Sequence, residues 1–352
     1  MLDRRKLLLS TCGIFASTCG VFGSFLNVNS GSKQSTPRNF VYMMSHLHVD
    51  DFALASKWGI NTVLVTLNPE GKDWNKTYDA AIKHDLQLVP LIWGQDQSIW
   101  QWNKTNREWE LNDRRYPRSI GAKFLRFLKD NHNYQQQTFA IYSFHEPLAK
   151  QGHVEPEKLK KFYLQIQEEF ATRPIKVYGE DMTFVWPQAD QCLTGVLDYE
   201  IHTFYPFAST RSGRYRPFSP KGYYLEPTSD LNKVFDNQKE TIEVQLKRFK
   251  EAKPAVNGRR PQLIIILQAF VDSGEKDLWN RMPDSQEMKK VADFIINEFQ
   301  DRIAGIAWYP FRQAASNYTH WLHKDRYDDQ GRDHWRVVAE VGQQLRKKSM
   351  LK

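Results

Sequence analysis

The stretch 139-FAIYSFHEP-147 carries the strongest chemical signal in the chain. An apolar run ends in a carboxylate, Glu146, and Pro147 then stops it. Strand alternation puts Ala140, Tyr142, Phe144 and Glu146 on one face. Glu146 is therefore expected to follow two aromatics into a partly desolvated mouth, where burial raises a carboxyl pKa and suits a general acid. Similar runs end in groups of related chemistry. The first ends in Ser45, His46 and His48, the third in Trp93, and the fourth in His145 and Glu146. The fifth ends in Glu180 and Asp181, the sixth in His202 and Tyr205, the seventh in Gln268, and the eighth in Trp308, Tyr309 and Arg312. Flat aromatic faces beside hydrogen-bonding groups are what a sugar ring needs, since its CH-rich face stacks and its hydroxyls pair.

The elements that must carry these residues alternate. Strand-like apolar runs fall at 40–46, 62–67, 87–94, 138–145, 175–179, 196–205, 262–270 and 303–309. Helix-like segments fall at 49–58, 75–85, 119–131, 156–171, 230–252, 284–299 and 334–348, with a single turn expected near 185–193. The helix at 156–171 starts at Pro156 and repeats Leu159, Phe162, Tyr163, Ile166 and Phe170 at helical spacing. Asp284 or Ser285 is placed to cap the helix that carries Met288, Val291, Phe294 and Ile295. Strand and helix in alternation predict parallel βα units, and eight of them predict a single-domain α/β fold, a (β/α)₈ TIM barrel over residues 39–352. A doubly wound sheet would show a glycine-rich turn after its first strand, and Ser45-His46-Leu47-His48 contains no glycine. In a barrel the chemistry gathers at the C-terminal ends of the strands, where all the residues above fall.

Composition sets the wider limits. The chain has 352 residues, 41% of them hydrophobic, 26% charged and 13% aromatic, which excludes a disordered or collagen-like protein. The net charge of +8 is mildly basic, but no run of five or six Lys/Arg occurs, so nucleic acid is not expected as a partner. No phosphate-binding glycine loop, serine elbow, zinc signature or internal repeat appears, and neither a cofactor nor a metal is expected. Arg4, Arg5 and Lys6 precede the uncharged, mostly apolar residues 7–26, and the order resembles a twin-arginine signal. Residues 1–30 are thus expected to be a signal peptide or membrane anchor, residues 31–38 a polar linker, and the domain to be exported to the periplasm, the outside or a membrane-anchored position. Of the three cysteines, Cys12 and Cys19 lie in that segment; its cleavage leaves Cys192 alone and no disulfide.

The motifs suggest a family. The sequence resembles retaining glycoside hydrolases of the cellulase and mannanase type, all (β/α)₈ barrels. In that clan the fourth strand ends in Asn-Glu-Pro with the glutamate as acid/base, and His145-Glu146-Pro147 occupies this place. The clan often carries His-x-Tyr near the end of strand six; 202-HTFYPF-207 is similar, with one extra residue before the tyrosine. The clan's stacking tryptophan at the end of strand eight is matched by Trp308 in 305-GIAWYPF-311. Its nucleophilic glutamate at the end of strand seven is not matched: 266-ILQAF-270 offers Gln268 or Ala269.

The resemblance therefore implies cleavage of glycosidic bonds in a neutral or anionic polysaccharide, with Glu146 as acid/base and the second carboxylate open among Glu180, Asp181, Asp198 and Glu200. His46, Trp93, His145, His202, Tyr205, Gln268 and Trp308 are the expected substrate contacts. Loops 95–118 and 206–229, rich in Arg and aromatics, are expected to build the cleft, and loop 271–283 to offer a late carboxylate. The alternative is a glycan-binding barrel of the cell envelope or extracellular matrix that has lost hydrolysis.

Overall fold

The computed structural model describes residues 40–68, 71–92, 100–103, 105, 108–111, 120–145, 156–171, 176–180, 197–207, 214–220, 225–251, 260–272, 281–312, 318–327, 333–348 and 350–351. The expected signal segment, the linker and the turn near 185–193 lie outside them.

Eight strands form one parallel sheet: β1 (Val41–Leu47), β2 (Thr62–Leu67), β3 (Gln87–Ile92), β4 (Ile141–His145), β5 (Val177–Glu180), β6 (Tyr199–Phe204), β7 (Gln262–Gln268) and β8 (Gly305–Tyr309). Their order is β3-β2-β1-β8-β7-β6-β5-β4, so the first and last strands of the chain are neighbours. The two end strands, β3 and β4, also approach each other. Leu88 forms a parallel bridge with Thr138, and Phe139 N–H donates to the Leu88 carbonyl at 2.8 Å. Neither strand extends that seam at the next position: Pro90 of β3 has no N–H, and the Ile141 amide is turned away to the Lys176 carbonyl at 2.8 Å. The sheet is thus a curled α/β sheet with helices packed on its outside.

Those helices are α1 (Phe52–Lys57), α2 (Trp74–Lys83), α3 (Ile120–Asp130), α4 (His132–Gln137), α5 (Pro156–Glu169), α6 (Leu231–Glu251), α7 (Ser285–Phe299), α8 (Leu322–Tyr327) and α9 (His334–Lys347). Asp284 caps α7 in a reciprocal box with Glu287: the Glu287 amide reaches Asp284 Oδ1 at 2.7 Å, and the Asp284 amide reaches Glu287 Oε2 at 2.8 Å.

Side-chain alternation divides the core in two. Val41, Met43, Leu64, Val89, Leu91, Ala140, Tyr199, Ile201, Ile264, Ile266 and Ala307 pack together inside the curl. Tyr42, Met44, Val63, Val65, Leu263, Ile265, Ile306 and Trp308 face outward into the larger layer shared with the helices. The Trp308 indole N–H donates to the Tyr42 hydroxyl at 2.9 Å, and that hydroxyl donates to the Val338 carbonyl at 2.6 Å, tying β8 and β1 to α9.

Among the described residues, four short strands lie outside the main sheet. Trp100–Asn103 pairs with Glu108–Leu111, and Phe270–Asp272 pairs with Tyr318–Trp321, both antiparallel. The second pair links the loops that follow β7 and β8.

Gly342 in α9 lies against the turn after α1. A β-carbon there would stand 1.9 Å from the Trp58 carbonyl oxygen. A glycine-to-alanine change inside a helix ordinarily gains about 1 kcal/mol. Gly342→Ala is expected to reverse that sign and cost about 1–3 kcal/mol through overpacking, read as a lower midpoint in urea unfolding.

Candidate functional site

The C-terminal ends of the strands carry a connected set of aromatic rings. Tyr309, the last residue of β8, faces the inner side. It is contacted edge-on by His46 at 5.1 Å and by Phe270 at 5.7 Å, and it is stacked with Tyr205 at 6.2 Å. Phe270 also meets Tyr205 edge-on at 5.1 Å. Tyr205, Tyr309 and His46 are half-buried, whereas Phe270 is fully buried behind them. The result is a wall with two tyrosine rings partly open at the mouth of the curl.

Irregular backbone re-aims the residues at this rim. In β1 the pairing with β2 shifts between Ser45 and Leu47, and His46 takes a left-handed conformation with φ 58°. A non-glycine residue held there stores strain of about 1–3 kcal/mol, a feature that clusters at functional sites. In β4 the pairing with β5 shifts between Tyr142 and Phe144. Bulges of this kind turn side chains at barrel rims. This one interrupts the alternation on which the expected direction of Glu146 rests.

Hydrogen bonds hold the loops around the wall. Ser45 Oγ donates to the Trp308 carbonyl at 3.1 Å, and the Phe311 and Arg312 amides donate to the Ser45 and His46 carbonyls at 2.9 and 3.2 Å. Arg312 grips Asp51 with two bonds of 2.6 and 2.9 Å, joining the loops after β8 and β1. In the loop after β7, Arg281 makes two bonds of 2.7 and 2.6 Å to Glu287 and lies over the rings of Phe207 and Tyr215. Burial works to raise the Glu287 carboxyl pKa, but the bonds from Arg281 bring it below its ordinary value.

Several expected site residues lie elsewhere. Trp308 is a correction: it is fully buried in the helix-facing layer and bonded to Tyr42, so it offers no face to a ligand. Its neighbour Tyr309 stands at the mouth instead. His202 and Glu200 are corrections of the same kind. Both project outward from β6 against α6, where Glu200 Oε1 accepts from Gln245 Nε2 at 2.7 Å and His202 Nε2 meets the Gln238 amide. Glu200 is 1% exposed and His202 0%. The extra residue in 202-HTFYPF-207 explains the change. A His-x-Tyr spacing puts both side chains on one face, while His202 and Tyr205, three apart, fall on opposite faces. Asp198 precedes β6, at the N-terminal end of the sheet, and is removed from the mouth by the length of that strand.

Gln268 ends β7 at the mouth but is 1% exposed, with its amide engaged by the protein's own backbone; a direct substrate contact is therefore corrected to a buried strut. His46 and Tyr205 are the expected contacts that the fold brings together. For His145 and Glu180 the main chain is described. The two are Cα partners in the β4–β5 pair, at the strand ends as expected. Glu146, Trp93 and Asp181 lie outside the described residues, as do residues 208–213 and 221–224 of loop 206–229. The hairpin at 100–111 was not anticipated, although the alternation in WQWN and EWEL is a strand signal. Among the described residues no three His, Cys, Asp or Glu side chains gather as a metal ion would require.

No family model matches this chain, and no curated protein matches it. Solved structures similar to it include an active-site mutant of a Rhizomucor miehei β-1,3-glucanosyltransferase in complex with laminaritriose, at 12% identity and TM-score 0.48, covering 76% of this chain and 86% of that one. A Saccharomyces cerevisiae Gas2p mutant in complex with laminaritetraose and laminaripentaose follows at 10% identity and TM-score 0.49, covering 88% of this chain and 65% of that one. A protein described as a glycoside hydrolase is 13% identical at TM-score 0.49, covering 87% and 70%. Likeness at this level carries no argument about substrate, reaction or residues.

Burial drives the His202 pKa down to about 4 from 6.5, against a smaller upward pull from the neighbouring Gln245 side chain. The unfolded chain therefore binds a proton between those values that the folded chain refuses. Stability is expected to fall as pH drops from about 6.5 to 4, by up to about 3 kcal/mol. His202→Gln is expected to remove that component, seen by comparing urea unfolding at pH 7 and 4.5. Trp308→Ala is expected to cost about 3–5 kcal/mol as a large core truncation, whereas Tyr309→Ala costs far less in the same assay.

Proposed function

We propose that the curled sheet is a (β/α)₈ barrel and that its C-terminal mouth binds a glycan and hydrolyses its glycosidic bonds. The observation that carries this reading is the aromatic wall of Tyr205 and Tyr309, with His46 edge-on, at the ends of β6, β8 and β1. Half-open tyrosine faces beside polar groups suit sugar rings, which present CH faces and hydroxyls together. The barrel reading is supported by the Leu88–Thr138 bridge between the two end strands.

Glu146 is the proposed general acid, and Glu180 is the proposed second carboxylate. Glu180 is chosen over Glu200 and Asp198 for its place at the strand end beside β4. Glu200 faces α6, Asp198 lies at the far end of its strand, and Gln268 is neutral and engaged. Glu180 ends β5 as the Cα partner of His145, and Glu146 is the next residue in the chain. Carboxyl groups about 5–5.5 Å apart would give retention through a glycosyl ester, and about 6.5–9.5 Å would leave room for water and give inversion. Residues 1–30 are proposed to export the domain; among the described residues no helix is long and apolar enough to cross a membrane.

The engaged amide of Gln268 favours a second reading, a glycan-binding barrel without hydrolysis. A panel of neutral and acidic polysaccharides decides between them. Hydrolysis by the wild-type chain, lowered about 10²–10⁴-fold in Glu146→Gln and similarly in Glu180→Gln with glycan affinity retained, is the expected outcome. Binding without turnover would leave the second reading, and no binding to any glycan of the panel would overturn both.

A further inference from the structure

Gln268 spends its whole amide on the two loops that carry the aromatic wall. Nε2 donates to the Arg281 carbonyl at 2.7 Å and to the Phe270 carbonyl at 3.2 Å, and Oε1 accepts the Phe207 amide at 3.4 Å. Phe207 lies just beyond Tyr205 in the chain, and Phe270 is itself part of the wall. The Arg281 amide donates to the Phe207 carbonyl at 3.1 Å, so the two loops are also joined directly. Two carbonyls need donors here and one N–H needs an acceptor, and a primary amide meets all three. An ionised carboxylate has no donor. It would set a negative oxygen against two carbonyl oxygens in a site that water does not reach.

We propose that Gln268 is a positioning residue: its amide clasps the loops after β6 and β7, so that Phe270 backs Tyr205 from behind and the half-open Tyr205 face is held in place for a sugar ring. The residue type that the resemblance places at this strand end is incompatible with that role while ionised. This deepens the glycan reading of the mouth and rests on it.

Gln268→Glu tests the clasp through its pH dependence. A protonated carboxyl copies the shape of the amide and offers one donor and one acceptor, and burial against two carbonyls raises its pKa. Glycan affinity of the variant, relative to the wild type at the same pH, is expected to fall about tenfold or more at pH 8, the size expected from unmatched buried polar groups, and to recover toward pH 5. A role confined to stability predicts unchanged affinity wherever the variant is folded, so equal affinity at pH 8 overturns the proposal. Hydrogen exchange of the segment containing Phe207, in the wild type and in Gln268→Met, gives a readout that needs no glycan. Faster exchange in the variant is expected, and unchanged protection overturns the clasp. Should the wild type bind no glycan, the proposed function fails, and the role in holding the Tyr205 face for a sugar fails with it. The exchange measurement then still separates a real clasp from an absent one.

Discussion

A side chain on a strand of a curled parallel sheet has two directions open to it, the enclosed interior or the layer of helices, and the character of this molecule follows from which residues fall on which side. The interior holds mostly aliphatic groups such as Met43, Leu64, Val89, Ile264 and Ala307, with Tyr199 among them. The outer side is a larger layer shared with the helices. Trp308 fills that layer and is satisfied there by Tyr42. The same parity sends Glu200 and His202 toward α6. Buried polar groups must be paired, and α6 supplies Gln238 and Gln245 on its inward face for that purpose. A polar cluster that resembles site chemistry in the sequence is thereby a packing contact between a strand and a helix.

The mouth is built where the alternation breaks down. Beyond the last ladder bond the backbone has no regular partner, so its groups must be met one by one. Ser45 Oγ and the Gln268 amide meet main-chain groups directly, while the Arg312–Asp51 and Arg281–Glu287 pairs tie the loops side chain to side chain. The two bulges, at His46 and between Tyr142 and Phe144, lie on this same rim. Each shifts one strand by a residue relative to its neighbour, which is enough to turn a side chain from the helices toward the mouth. Such a shift leaves the hydrophobic pattern of the preceding strand intact.

The strand and helix plan was largely legible, because apolar periodicity reports burial wherever an element is long enough. The expected run 62–67 matches β2 at both ends, and 156–171 and 284–299 match α5 and α7 to within a residue or two. Short elements were missed. Helix α4, helix α8 and the Phe270–Asp272 strand have too few residues to show a period, and the alternation in WQWN and EWEL spans only four residues each; such elements draw their stability from what they rest on.

What the sequence determined by itself was the order and type of the long elements and the rim on which polar and aromatic groups would collect, since both follow from local spacing. Membership in the wall was decided by tertiary structure. Tyr309 was one residue away from the expected Trp308, and a single step along a strand reverses direction. Gln268 became a strut because three main-chain groups distant from one another in sequence converge on its amide, and no local pattern records that convergence.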